Sequence, residues 1–152
     1  MRTKKAIVAT LAAFGLAVTG AAATMAATVP NVPMAKAIGK GEGSVNLIVW
    51  AGYAENGSND KTVDWVNPFT KATGCKVNAK TAGTSDEMVS LMKTGGYDGV
   101  SASGDASLRL IYGGQVAPVN TDLVPSYKDI SPFLKNQKWN SVNNVMYGIP
   151  HG

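Results

Sequence analysis

From residue 45 onward the hydrophobic pattern switches repeatedly between two periods. Residues 45–50 (VNLIVW) form a nearly continuous apolar run, as expected of a strand buried on both faces of a parallel sheet. Residues 51–60 are polar with glycines and read as a loop. Trp65, Val66, Phe69 and Ala72 then recur at helical spacing and predict a helix over residues 62–73, with Pro68 in its first turn and Gly74 as its C-cap. Residues 75–81 (CKVNAKT) alternate and predict a second strand. Thr84-Ser85-Asp86-Glu87 is a capping box, in which the Thr84 hydroxyl serves the first turn while Glu87 reaches back. The helix it opens runs to Lys93, turns Met88, Leu91 and Met92 inward, and stops at Gly95-Gly96.

A third short strand follows over residues 98–102. Ser103-Gly104-Asp105 is the next turn and N-cap. Residues 106–112 form a helix with Leu108, Ile111 and Tyr112, ended by Gly113-Gly114. Residues 116–120 read as extended. Pro125, Pro132 and many Asn and Ser residues then give an irregular stretch with short helices, and residues 145–150 are a last extended segment. The order β-α-β-α-β-α argues for an α/β fold, a mostly parallel sheet flanked by helices on both faces.

The N-terminus has a different character. No acidic residue occurs before Glu42. Arg2, Lys4 and Lys5 precede an apolar run over residues 6–18 and an alanine-rich stretch to Ala27. These are the marks of a secretory signal, with small-residue cleavage options after Ala23, Ala27 or Ala37. No twin-arginine pair is present, so the expected route is of Sec type. An uncleaved anchor is the alternative, because residues 6–29 suffice to cross ~30 Å of hydrocarbon. The expected organisation is a signal over 1–27 (up to 37), a flexible Pro- and Gly-containing leader over 28–43, and one lobe over 44–152. The expected location is periplasmic or extracellular.

Removing the signal changes the charge. The chain holds 14 basic and 10 acidic residues. Four of the basic ones (Arg2, Lys4, Lys5, Lys36) precede Ile38 and none of the acidic ones do, so the remainder is neutral, ten against ten. Nucleic acid is therefore not an expected partner, since it calls for a clustered basic patch. The single cysteine, Cys75, excludes an internal disulfide and reads as a small buried residue at a strand edge.

In open α/β sheets, ligands sit at the carboxyl ends of the strands. Here those ends are residues 50–56, 81–85 and 102–105. Trp50 and Tyr53 offer faces for stacking on an organic ligand or cation, although Trp50 also suits the core. Ser85, Ser103 and Asp105 lie at helix starts, where simple N-capping is the competing role. Asp105 and Glu55 offer negative charge for an ammonium group. Catalytic templates fail: the Gly41–Ser44 run follows no strand and lacks a Lys-Ser/Thr pair, a GxSxG elbow is absent, and His151 is the one histidine. Neither an enzyme nor a cofactor is expected, and no metal site; an exported enzyme or adhesion domain on an α/β scaffold is the remoter alternative.

With these loops placed, the chain resembles the extracellular solute-binding proteins of bacterial spermidine/putrescine ABC transporters. The segments that carry the likeness are VWAGYA (49–54), WVNPFTKATGCKV (65–77), AGTSDEMVSLM (82–92), GYDGVSASGDASLRLIYGGQVAPVN (96–120) and YGIPHG (147–152). The resemblance implies a type II periplasmic-binding-protein lobe, and in the whole protein two lobes closing on a polyamine. Aromatic rings would pack on the ligand's chain and carboxylates would pair with its ammonium ends. It also implies a membrane ABC permease as partner. Trp50, Tyr53 and Ser103 match ligand-contacting positions of the family. Asp105 falls where the family's better-known members carry an aromatic residue. Ala51 and Gly52 stand where polyamine binders tend to carry a polar residue and an acid, which leaves another ligand (an amino acid, a thiamine-like molecule, an oxyanion) as the alternative. The family is longer than this chain, so the sequence reads as its N-terminal portion, with apolar surface expected to lie uncovered.

Overall fold

The computed structural model describes residues 27–150. The predicted export signal and His151 lie outside these residues, except for Ala27 at the signal's end. Three parallel strands form the central sheet: β1 (Ser44–Val49), β2 (Lys76–Thr81) and β3 (Gly99–Val100), in the order β2-β1-β3. The register pairs Ser44 with Lys76 through Val49 with Thr81, and on the other side Leu47 with Gly99 and Ile48 with Val100. The most apolar segment, predicted as a strand of a parallel sheet, thus takes the central position.

Three helices follow the strands: α1 (Val66–Thr73), α2 (Ser85–Lys93) and α3 (Gly104–Tyr112). The chain steps from β1 to one side and then across to the other. Right-handed connections therefore set α1 and α2 on opposite faces of the sheet. On the α2 face the packing is dense. Ile48, Ala82 and Met88 are buried together with Trp50, Leu91 and Val100 against them, and Val89, Ala106 and Leu110 join α2 to α3. The α1 face is thinner. Of the residues expected to turn inward there, Val66 is buried, while Trp65 and Phe69 stay 49% and 43% exposed and Ala72 is exposed.

Local chemistry explains where the elements begin. Helix α1 starts four residues later than the periodicity predicts. Asp60 accepts from both the N–H (2.8 Å) and the hydroxyl (2.7 Å) of Thr62, a turn that keeps this segment out of the helix. Asp64 then accepts from the Asn67 N–H at 3.0 Å. Gly74, at φ 73°, ends α1 in the left-handed conformation expected of it. In α2 the Thr84 cap forms as predicted, and Glu87 reaches back one residue further than in a standard capping box. The Glu87 N–H donates to the Thr84 hydroxyl at 3.1 Å, and the Glu87 carboxylate reaches back to the Gly83 N–H at 2.9 Å. Cys75 precedes β2 and is half-buried rather than buried.

Beyond α3 the sequence pattern is a weaker guide. Residues 116–120 form no strand, although the Val119 N–H donates to the Met146 carbonyl at 2.8 Å. Three short 3-10 helices follow at Thr121–Leu123, Pro125–Asp129 and Pro132–Leu134. A small antiparallel hairpin then pairs β4 (Ser141–Val142) with β5 (Val145–Met146). Its turn residues Asn143 and Asn144 both take positive φ, 52° and 63°, as the tightest hairpin turns require. The leader carries no regular element, yet it touches the body. The Asn120 side-chain amide donates to the Ala35 carbonyl at 3.0 Å, and Pro30 lies where a Cβ on Gly114 would come within 3.2 Å.

Candidate functional site

The carboxyl ends of β1 and β3 and the start of α3 enclose a cavity of about 660 Å3. Trp50, Tyr53, Ser103, Asp105 and Trp139 line it, with Leu108 on its floor. Four of the five site residues expected from sequence therefore meet in one place. Trp50 lines the cavity and also packs on the Ile48–Met88 core. Tyr53 arrives by a tight turn in which its N–H donates to the Trp50 carbonyl at 3.1 Å. Gly52, at φ 86°, occupies that turn in a conformation that disfavours any side chain. The missing acid at this position is thus matched by a backbone that suits glycine.

Simple capping does not describe Ser103. It is the N-cap residue of α3, but its side chain makes no cap hydrogen bond. Its hydroxyl donates instead to Asp105 Oδ1 at 2.6 Å and lies 2.5 Å from the Ser85 hydroxyl. Ser85, the fifth predicted residue, does not line the cavity; it stands behind Ser103. The Ser103 hydrogen bond holds the Asp105 carboxyl below its ordinary range, against the opposing effect of desolvation, with help from the Ala106 and Asp105 N–H groups and the Arg109 charge. Arg109 itself pairs with Asp86 at 2.6 Å on the exposed surface. Glu55 turns away, accepting from the Asn59 amide at 3.3 Å. Asp105 is accordingly the one carboxylate lining the cavity among the described residues.

Trp139 is absent from the sequence expectations. It lies in the irregular region, 34 positions after Asp105, and no period connects the two. The hairpin β4–β5 brings it in. Asn140, 2% exposed, donates to the carbonyls of Gln137 (backbone, 3.0 Å) and Leu134 (side chain, 3.3 Å), and the Tyr147 N–H donates back to the Asn140 carbonyl at 2.9 Å. Trp139 then lies across the start of α3, where a Cβ on Gly104 would stand 3.0 Å from its Cβ. The signals available in sequence were Gly104 itself and the Asn-Asn pair that turns the hairpin.

A second, larger cavity of about 820 Å3 adjoins the first and shares Tyr53, Ser101, Ala102 and Trp139 with it. It is lined mostly by apolar residues such as Leu47, Val49, Ile111 and Val116. Two buried carbonyl oxygens on its wall, Gln115 Oε1 and Asn140 Oδ1, have no hydrogen-bond partner among the described residues. Among the described residues no cluster of His, Cys, Asp or Glu could hold a metal ion, and no helix is long and apolar enough to cross a membrane.

No family model matches the chain. Solved structures do. One is a protein described as a spermidine/putrescine ABC transporter from Listeria monocytogenes, with a TM-score of 0.55 at 19% identity over 64% of this chain. Another is the spermidine/putrescine ABC transporter substrate-binding protein PotD of Streptococcus pneumoniae, with a TM-score of 0.55 at 20% identity, again over 64% of this chain. The fold is that of a solute-binding-protein lobe. The matched region spans only 29% and 28% of the length of those two proteins. At this identity the likeness establishes the fold, as the strand order and the parallel register already indicate.

Proposed function

We propose that the chain is the N-terminal part of the exported substrate-binding component of an ABC transporter, and that it captures a polyamine or similar organic cation. The observation that carries this reading is the meeting of three aromatic side chains, Trp50, Tyr53 and Trp139, with the Asp105 carboxylate in one cavity at the carboxyl ends of parallel strands. Aromatic faces attract cations through the ring quadrupole, each contact contributing ~0.5–2 kcal/mol, and an ionised carboxylate accepts an ammonium's hydrogen bonds. Binding suits this set, because aromatic faces and an ionised carboxylate together hold a cation without any bond being made or broken. The function follows from differential affinity for open and closed states of a two-lobed protein, and then handover to a membrane permease.

The same reading assigns residues 1–27 (up to 37) to an export signal, 28–43 to a leader and 44–152 to the N-terminal lobe, and it places the protein in the periplasm or outside the cell. Isothermal titration with putrescine and spermidine tests it. Saturable heat with either supports the assignment, and no heat at millimolar ligand overturns it. A second reading, a ligand with one cationic group, draws support from Asp105 being the single carboxylate at the cavity and from Gly52 replacing an acid. A monoamine that outcompetes putrescine would favour it.

A further inference from the structure

The Ser85–Ser103–Asp105 chain of hydrogen bonds crosses from α2 to α3, and nothing in the cavity's lining accounts for its first member. Each hydroxyl has one proton. The Asp105 carboxylate only accepts when ionised, so the 2.6 Å contact commits the Ser103 proton to Asp105 Oδ1. The 2.5 Å contact between the hydroxyls must then be filled by the Ser85 proton. Ser85 does not serve as its helix's cap, a role that Thr84 holds.

We propose that Ser85 is a positioning residue for the ligand site: its hydroxyl donates to Ser103, fixes the direction of the Ser103 proton, and so holds the Asp105 carboxylate over the aromatic cavity. This inference rests on the reading of that cavity as the cation site. A carboxylate binds up to four hydrogens. With one lone pair engaged by Ser103, capacity remains for an incoming ammonium group, and the side chain does not have to be ordered at the moment of binding. That order is set in advance, which lowers the entropic cost of capture. The arrangement also links the two helices that open at the strand ends, so α2 supports a group presented by α3. The charged and titratable groups facing Asp105 are Arg109 on its own helix, Asp86 on α2 through its ion pair with Arg109, and Tyr53 from the β1–α1 loop. None of these is altered by a change at Ser85.

The test uses the full chain and the S85A, S85T and S103A variants. The first readout is the ligand-free NMR titration of the Asp105 side-chain carboxyl carbon. S85A and S103A should both move its midpoint to higher pH, and S85T, which keeps the hydroxyl, should restore the value of the parent. The second is calorimetry with putrescine at neutral pH. There S85A should weaken binding by roughly two- to fivefold, the effect of one lost supporting hydrogen bond, and S85T should recover it. An unmoved Asp105 midpoint in a folded S85A variant overturns the proposal, as does parent-like putrescine affinity in S85A. If the midpoint moves but the parent protein binds no putrescine, the hydrogen-bond chain stands and the polyamine assignment fails.

Discussion

Two cavities share a wall in this molecule, and they are built in opposite ways. At the strand ends the polar groups are bonded to one another: Ser85 to Ser103, Ser103 to Asp105, and the whole set is framed by aromatic rings. In the larger neighbouring cavity two polar atoms, Gln115 Oε1 and Asn140 Oδ1, are buried and unpartnered among the described residues, while Asp98 on its wall accepts from the Asn46 N–H at 2.7 Å. Volume alone would favour the larger one as the site. Preorganised polarity favours the smaller one, because recognition needs acceptors already held in place rather than space. The larger cavity is walled by Leu47 and Val49 of the central strand together with Met92 of α2 and Leu110 of α3.

Several substitutions break or sharpen this contrast. The largest effect belongs to the framework beneath both cavities. Met88→Ala should destabilise the fold by about 2–5 kcal/mol, because the side chain is fully buried against Ile48 and leaves a void. Chemical denaturation measures it. At the smaller cavity, Trp139→Ala should weaken cation binding by roughly tenfold or more, from the loss of an aromatic face, while leaving the stability of the α2 face nearly unaltered. Gly104→Ala should reproduce part of that loss, since the new Cβ would crowd Trp139 at 3.0 Å. Both are read by titration calorimetry.

The larger cavity should respond in the opposite sense. Gln115→Leu replaces a buried unpaired carbonyl with an apolar group, and should stabilise the fold by about 1 kcal/mol. It should not change cation affinity. A destabilised variant in thermal denaturation would contradict the view that this amide lacks a partner.

The smallest effect is the pH dependence. Asp105 titrates below its ordinary value of 3.8, chiefly because Ser103 bonds the charged form. A depressed carboxyl contributes above its unfolded value and loses the contribution as pH falls through the folded one. Cation affinity should therefore stay level from pH 7 to pH 5 and decline only below 3.8. Asp105→Asn should weaken binding and abolish that decline. Asp60, held down by Thr62, shares the same pH window, so its part is separated by measuring Thr62→Val for stability alone.

Much of this contrast was readable in the sequence, and the unread part has a physical cause. The nearly continuous VNLIVW run identified the first strand, the Thr84–Glu87 capping box fixed the start of α2, and Gly74 marked the end of α1. These are local signals, and the structure uses them locally. Trp50, Tyr53, Ser103 and Asp105 were legible as residues at the carboxyl ends of the strands, and the structure brings those four to one cavity. Trp139 was not legible, because a two-residue hairpin turned by Asn143 and Asn144 carries it across the fold. Ser85 was expected at a helix start facing the site, and the structure places its hydroxyl against Ser103 rather than in the cavity lining. Phe69, Trp65 and Ala72 show the converse case. Their spacing promised an inward face, but the α1 side of the sheet leaves them exposed.

The central claim is that the aromatic cavity at the strand ends, and not the larger one beside it, receives an organic cation. Titration of putrescine into the parent protein, Trp139→Ala and Gln115→Leu, carried out side by side, tests it most directly. The account predicts saturable binding by the parent and by Gln115→Leu, with at least a roughly tenfold loss in Trp139→Ala. Equal affinity in the parent and Trp139→Ala, or a loss confined to Gln115→Leu, would contradict it.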